Sequence, residues 1–285
     1  MRTGVQAQWQ AAVPAGLIGR AAIRALYGEL SLAPKPGLVS PLDNGAHDDM
    51  TMATFMRSLF ALRGYFIEIA VAGSMGAPFG TLRHLGLAAE KRMLATTVGI
   101  NTHRGAIFNL GLLGAATGQL FGRGSRPDAA AICRTVATQW GQDILASRPA
   151  VPDSNGTRAL AAHGGAGARE QAAAGYPLLG EVALPELRTA RNRGADARAS
   201  RVQALFAIMA ALDDTNLLHR GGREGLALVR REARAFLDTG GVFSAGWHER
   251  ALKLHRLCVA KRLSPGGAAD LLACAIFLDD IGAAP

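Results

Sequence analysis

The sequence predicts an all-α protein: a single compact multi-helix domain of about ten helices around a central apolar helix. Three observations carry this. Alanine and leucine, both strong helix formers, dominate a chain that is 49% hydrophobic and only 19% charged. Apolar residues recur at helical steps along most of the 285 residues. No segment alternates apolar and polar residues for more than four or five positions, as a half-buried strand would. The length suffices for a sizeable core, and no linker or internal repeat divides it. Residues 1–285 therefore read as one domain, with residues 1–14 expected to be disordered.

The elements follow in order. The opening "MRTGVQAQWQAAVPAGLIGR" has one early Arg and is broken by Gln and Pro, unlike a secretory signal. Met52, Phe55, Met56, Leu59, Phe60, Phe66 and Ile67 form one apolar stripe, predicting a helix from Asp49 to Gly73. Leu85 to Thr96 is a second. Ala106 to Leu120 is apolar nearly all round, which predicts the central helix. Asn109, Gln119 and a length short of about 20 residues argue against a membrane span there. Pro127 suits the start of a helix over Asp128 to Ser147. Val202, Leu205, Phe206, Met209 and Leu212 give another stripe, and Glu224 to Leu237, Ala245 to Arg262 and Gly267 to Leu278 complete the set. Val39 and Val151 lie in short extended pieces. Val151 to Arg198, rich in Gly, Ala and Arg, reads as a long irregular excursion, which in a compact domain is often functional.

The net charge is +9, carried mostly by Arg. It suits an anionic ligand as well as a solvated basic surface. Lys/Arg runs interleaved with aromatics are lacking, so nucleic acid is not the expected partner, and neither is a membrane. Cys133, Cys258 and Cys274 are far apart and set in apolar helical patterns. They predict buried free thiols in a reducing, cytoplasmic setting.

Polar residues collect in five groups. "PKPGLVSPLDNGAHDDM" holds Lys35, Asn44, His47, Asp48 and Asp49 in an irregular stretch, where either Asp would serve as an N-cap. "GINTHRGAIFNLGLL" puts Asn101 or Thr102 at the cap of the central helix and His103 and Arg104 at its start. A cation there opposes the helix dipole, and an anionic ligand would remove the conflict. "AHGGAGAREQAAAGYP" sets His163 before a Gly-rich loop, then Arg169 and Glu170. "LDDTNLLHRGG" places Asp213 and Asp214 at the C-terminal end of an apolar helix, where the dipole disfavours them; a metal ion, His219 or Arg220 would answer them. In "LSPGGAADLLA", Asp270 is explained by the dipole of the last helix and ranks lowest. No HExxH, GxSxG, CxxC or P-loop pattern is present. These residues alone imply a helical protein with a polar pocket for a phosphorylated, Mg²⁺-bound ligand.

"PKPGLV…NGAHDDM", "GINTHRGAIFNLGLL", "HGGAGAREQAAAGYP", "DTNLLHRGG" and "SPGGAADLLA", in this order from Ala25 to Leu278, resemble the triphosphoribosyl-dephospho-coenzyme A synthases. One departure is that Glu170 directly follows Arg169, where the family usually has Gly then Glu. The resemblance implies a transferase that joins ATP to 3′-dephospho-coenzyme A and releases adenine. Its product, 2′-(5″-triphosphoribosyl)-3′-dephospho-coenzyme A, is the precursor of a carrier-protein prosthetic group. Arg104 stands where citrate-lyase relatives tend to have Lys, which leans toward the malonate decarboxylase branch. An α-linked product from β-linked ATP implies inversion, with base and leaving-group acid on opposite faces of the sugar. In this reading Lys35, Asn44, Asn101, Arg104, His163, Arg169, His219 and Arg220 bind substrate. Asp48, Asp49, Asp213 and Asp214 are the candidate Mg²⁺ ligands, and His47, Asp48, His103 and Asp213 the candidates for proton transfer. A homodimer is allowed. The alternatives are a Mg²⁺-dependent helical hydrolase of phosphate or glycosyl bonds, and a non-catalytic nucleic-acid-binding or scaffold protein.

Overall fold

A computed structural model of the chain describes residues 2–148 and 154–282, with side chains from residue 14 onward. The described residues form α1 (Arg2–Leu30), α2 (Met52–Ala61), α3 (Arg63–Ser74), α4 (Phe79–Thr96), α5 (Arg104–Gly122), α6 (Ala129–Ala146), α7 (Asn155–His163), α8 (Ala168–Ala173), α9 (Leu184–Asn192), α10 (Ala197–Ala211), α11 (Thr215–Asp238), α12 (Trp247–Ala260) and α13 (Gly266–Gly282). A π-helical turn, Leu179–Ala183, leads into α9, and a 3₁₀ turn, Gly241–Phe243, follows α11. Among the described residues there is no strand, as the lack of period-two alternation predicts.

Helix α5 is the expected central helix, buried without a break from Asn109 to Gln119. It packs on α1, α3, α4, α6 and α13. Its glycines explain how it does so. A Cβ on Gly118 would stand 2.1 Å from the Ala70 carbonyl oxygen of α3, and one on Gly111 2.1 Å from the Tyr65 hydroxyl. The glycines serve close backbone approach inside a core, and no helix of the described residues is long and apolar enough to cross a membrane. Helix α13 is buried continuously from Leu271 to Asp279, so the core rests on two apolar helices rather than one.

Three expectations about elements are corrected. The stripe from Asp49 to Gly73 belongs to two helices that break at Leu62, whose N–H is shared between the Ser58 and Leu59 carbonyls. The N-cap of α2 is Thr51, which accepts from the Thr54 N–H, and neither Asp48 nor Asp49. Of the supposed irregular excursion, Val151 lies outside the described residues. The described remainder is largely helical: Ser154 and Thr157 form a capping box at α7, and Leu184, Leu187 and Ala190 bury one face of α9. The three cysteines are buried and unpaired. Burial pushes the Cys133 and Cys258 thiols up to about 12, which keeps them unreactive.

Candidate functional site

The polar groups of the sequence meet at one cavity of about 1300 Å³. Its walls are the end of α1 with the loop after it, the loop before α5, the Gly164–Gly167 loop between α7 and α8, and the first turns of α11 and α13. Lys35, His47, Asp49, Asn101, His103, Arg104, Arg169, Asp213, Asp214, His219 and Arg220 line it, whereas Asn44, Asp48 and His163 do not. Asn44 is exposed, Asp48 pairs with Arg262 at 2.9 Å, and the His163 carbonyl accepts from Arg223.

The stretch from Pro34 to Met50 is held by its own polar residues. Lys35 Nζ donates to Glu29 Oε1 at 2.5 Å, with both side chains buried. Burial, opposed by Glu29, pushes the Lys35 pKa down. His255 on α12 places Nδ1 3.0 Å from the Lys35 carbonyl and Nε2 2.9 Å from Asp43 Oδ2. Gly37, at φ 68°, passes so close to Leu263 that a Cβ would lie 2.1 Å from its carbonyl oxygen. His47 is engaged at both nitrogens. Arg220 Nη2 donates to Nδ1 at 3.0 Å, so the ring proton is on Nε2 and donates to Ser264 Oγ at 2.9 Å. Burial first, then Arg220, lowers the His47 pKa to about 4, so the ring is neutral at neutral pH.

His103 stands at the N-cap of α5, 3% exposed. Its Nδ1 meets Ser58 Oγ at 2.6 Å and its ring packs edge-on to Phe55. Burial and then Lys35 depress its pKa to about 3. Asn101 Oδ1 accepts the Arg104 N–H at 3.2 Å, as the capping argument expects. The Arg104 guanidinium, expected to conflict with the dipole, is answered by Glu90 of α4 at 2.9 Å.

The acidic pair is placed differently from the sequence reading. Helix α10 ends at Ala211, and Asp214 is the N-cap of α11, where the dipole favours it. Its Oδ1 accepts from the Asn216 and Leu217 N–H groups and its Oδ2 from the Ala268 N–H of α13. Burial, partly offset by these bonds, raises its pKa to about 6. Asp213 is not left without a cation, because Arg230 donates to its Oδ1 at 2.7 Å from farther along α11. The signal was available in "DDTNLL", an Asp directly before an apolar helical run.

Among the acids on the wall, the sequence reading did not name Glu29 and Glu90, and it ranked Asp270 lowest. Glu29 is paired with Lys35 as above. Asp270 lines the cavity and approaches Gly105, where a Cβ would fall 1.9 Å from its Oδ2. Burial raises the Asp270 carboxyl well above its usual range, and Glu29 and Asp214 add to the effect. Several buried polar atoms on the wall have no protein partner: Thr102 Oγ1, His103 Nε2 and Gln171 Oε1. Buried polar atoms are nearly always bonded, so each of these leaves an unmet hydrogen bond in a residue of the cavity wall.

Among the described residues no group of three or more His, Cys, Asp or Glu is placed to hold a metal ion. The Asp214 oxygens are occupied by backbone N–H groups, and Asp48 is off the wall. Asp213, one oxygen on Arg230 and the other facing Gly165, and Asp49 remain on the wall. One or two carboxylates suit Mg²⁺ only when phosphates complete its shell, so the donor set fits an ion that arrives with a nucleotide.

Comparison with known proteins agrees with the geometry. The family model CitG, described as ATP:dephospho-CoA triphosphoribosyl transferase, matches residues 15–284. A protein of Acinetobacter calcoaceticus is 40% identical over 254 residues, covering 89% of this chain and 87% of that one. One of Pseudomonas paraeruginosa is 42% identical over 270 residues, with 92% and 90% covered. One of Citrobacter koseri is 37% identical over 291 residues, with 95% and 93% covered. Each is named "Probable 2-(5''-triphosphoribosyl)-3'-dephosphocoenzyme-A synthase". No solved structure matches.

Proposed function

Because the chain belongs to the CitG family of ATP:dephospho-CoA triphosphoribosyl transferases, we propose that it joins ATP to 3′-dephospho-coenzyme A and releases adenine. The observation that carries this reading is the cavity: about 1300 Å³, lined by Arg83, Arg104, Arg148, Arg158, Arg169 and Arg220, with unpartnered polar atoms in its wall. A single small-ligand pocket is usually about 300–1000 Å³. This one has room for two nucleotides, and its arginines suit two polyanions. They also give the net charge of +9 a purpose.

In the reaction the C1′–N9 bond of ATP breaks and a bond forms from C1′ to the 2′-oxygen of dephospho-coenzyme A. The triphosphate stays intact, so the cations hold it and do not cleave it. Arg104 and Arg220 are the phosphate contacts best supported by geometry. Glu90 aims the first, while His47 with the Ala46 and Arg262 carbonyls aims the second. Asp213 would hold a Mg²⁺ ion, which when bound would supply charge neutralisation to the triphosphate. His47, bonded at both nitrogens, serves to position Arg220. His103, neutral and with a buried Nε2 that has no protein partner, is suited to a hydrogen bond with substrate.

The product would prime the carrier protein of malonate decarboxylase in the cytoplasm, the branch toward which Arg104 leans. The test is incubation with ATP and dephospho-coenzyme A, followed by adenine detection and mass spectrometry of the conjugate. Adenine release that needs no dephospho-coenzyme A would point to a hydrolase instead. RNA binding with a steep salt dependence and no adenine would point to a nucleic-acid protein.

A further inference from the structure

Asp270 is an unexpected acid to find on this wall. It lines the cavity and part of its surface is reachable from it. It is nevertheless deep enough that burial dominates its behaviour. The groups acting on it are Glu29 at the end of α1, Asp214 at the start of α11 and the Ala106 N–H at the start of α5. Along its own helix it acts on the Cys274 thiol. Glu29 is itself paired with the buried Lys35 ammonium at 2.5 Å. Burial and the two nearby carboxylates, Glu29 and Asp214, favour the neutral, protonated form of Asp270.

The place is a ligand site and not merely an acidic cluster. Gly105, which Asp270 faces, follows His103 by two residues. His103 is 3% exposed, lines the same cavity and has its Nε2 without a partner.

We propose that Asp270 is the general acid that protonates the departing adenine, with the Glu29–Lys35 pair positioned to keep that proton in place. The inference rests on the transferase reading above. The C1′–N9 electron pair passes into the purine as the bond breaks. Asp270 gives its carboxyl proton to a purine ring nitrogen, so adenine leaves neutral. The 2′-hydroxyl of dephospho-coenzyme A forms the new bond to C1′ and loses its proton to a base. Asp270, left as carboxylate, regains a proton from water before the next turnover.

The experiment compares parent and Asp270→Asn with ATP and with an ATP analogue methylated at purine N7, whose cationic purine departs without needing a proton. General acids contribute roughly 10²–10⁴-fold. With ATP, kcat of the variant should fall by about a hundredfold or more, with ATP affinity changed less than about threefold and the alkaline limb of the pH profile gone. With the methylated analogue, variant and parent should react at similar rates. Equal losses on both substrates would overturn the proposal, because a merely structural or positioning role does not distinguish leaving groups. If Asp270→Asn fails to fold, Glu29→Gln gives the second reading. Removing that negative charge should move the alkaline limb of kcat to lower pH, and an unmoved limb counts against the acid. A parent that releases no adenine from ATP sinks the transferase reading itself, which is a different outcome from either.

Discussion

Asp214 Oδ2 accepts the Ala268 N–H at 2.9 Å and ties the start of α11 to the first turn of α13. Its other oxygen caps α11. Read at a helix C-terminus, Asp214 invites the expectation that removing its charge relieves repulsion and raises the melting temperature. The structure reverses that sign. In Asp214→Asn the amide can keep one oxygen as acceptor, but its NH₂ then faces an N–H and leaves a buried donor unpaired. The loss should be about 1–3 kcal/mol. Thermal melts of the ligand-free variant check this, and an unchanged or higher melting temperature would contradict the cap.

Arg104→Ala separates binding from stability. The Arg104–Glu90 pair is partly exposed on both sides, and such pairs contribute about 0–1 kcal/mol. The variant should therefore melt within a few degrees of the parent yet bind ATP or dephospho-coenzyme A at least about tenfold more weakly, the loss of one charge-assisted contact. Calorimetric titration reads both affinities. If both are unchanged, Arg104 leaves the phosphate-binding set.

What the sequence made legible followed from how locally each feature is determined. Helix α5 was readable because its apolar surround and the Asn101 cap are contiguous in sequence. Helix α1 was not, since Pro14 inside it reads as a breaker. The short helices α7 and α9 were hidden because Ala159 and Ala190 supply part of their buried faces in place of large apolar residues. The same held in the site. Arg104, Arg169, Arg220 and Asp213 could be collected from the motifs, whereas Arg83, Arg148 and Arg158 on the same wall lie outside them. The pairing of Lys35 with Glu29, and the approach of Asp270 to Gly105, join segments that no local pattern relates.

His47 gives a test of positioning against chemistry. Both nitrogens are engaged, and its pKa of about 4 leaves it neutral above about pH 5. His47→Ala should raise KM by freeing Arg220. His47→Asn should retain most activity, because an amide oxygen can accept from Arg220 and its NH₂ can donate to Ser264. The pH profile between 5 and 8 should be the same in His47→Asn and parent. Asn as inactive as Ala would mean that the imidazole itself moves a proton.

The contact between α3 and α5 should be unforgiving at Gly118. A Cβ there meets the Ala70 carbonyl oxygen at 2.1 Å, and the atom it meets is backbone with no rotamer to escape into. Overpacking of this kind costs about 1–3 kcal/mol. Gly118→Ala should lower the urea midpoint accordingly, although alanine is the better helix former. An unchanged or raised midpoint would show that the two helices can part at no expense.

Asp270 also sets a pH dependence of stability. Burial, then Glu29 and Asp214, holds its folded carboxyl well above the ordinary range, whereas in the unfolded chain it titrates near about pH 4. Between those two values the folded protein binds more protons than the unfolded one, so stability falls as pH rises. The contribution of this group is complete below about pH 4 and is lost progressively as pH rises through the folded value. Asp270→Asn has no proton to lose, while Asp214 titrates in parent and variant alike. The variant should therefore gain on the parent steadily from pH 4 to pH 8, whatever the sign of their difference at the acid end. Urea midpoints of both proteins at four or five pH values give the slope directly. A parent that instead gains on the variant with rising pH would mark Asp270 as an ionised carboxylate stabilised by its surroundings, and would remove the proton on which its role as acid depends.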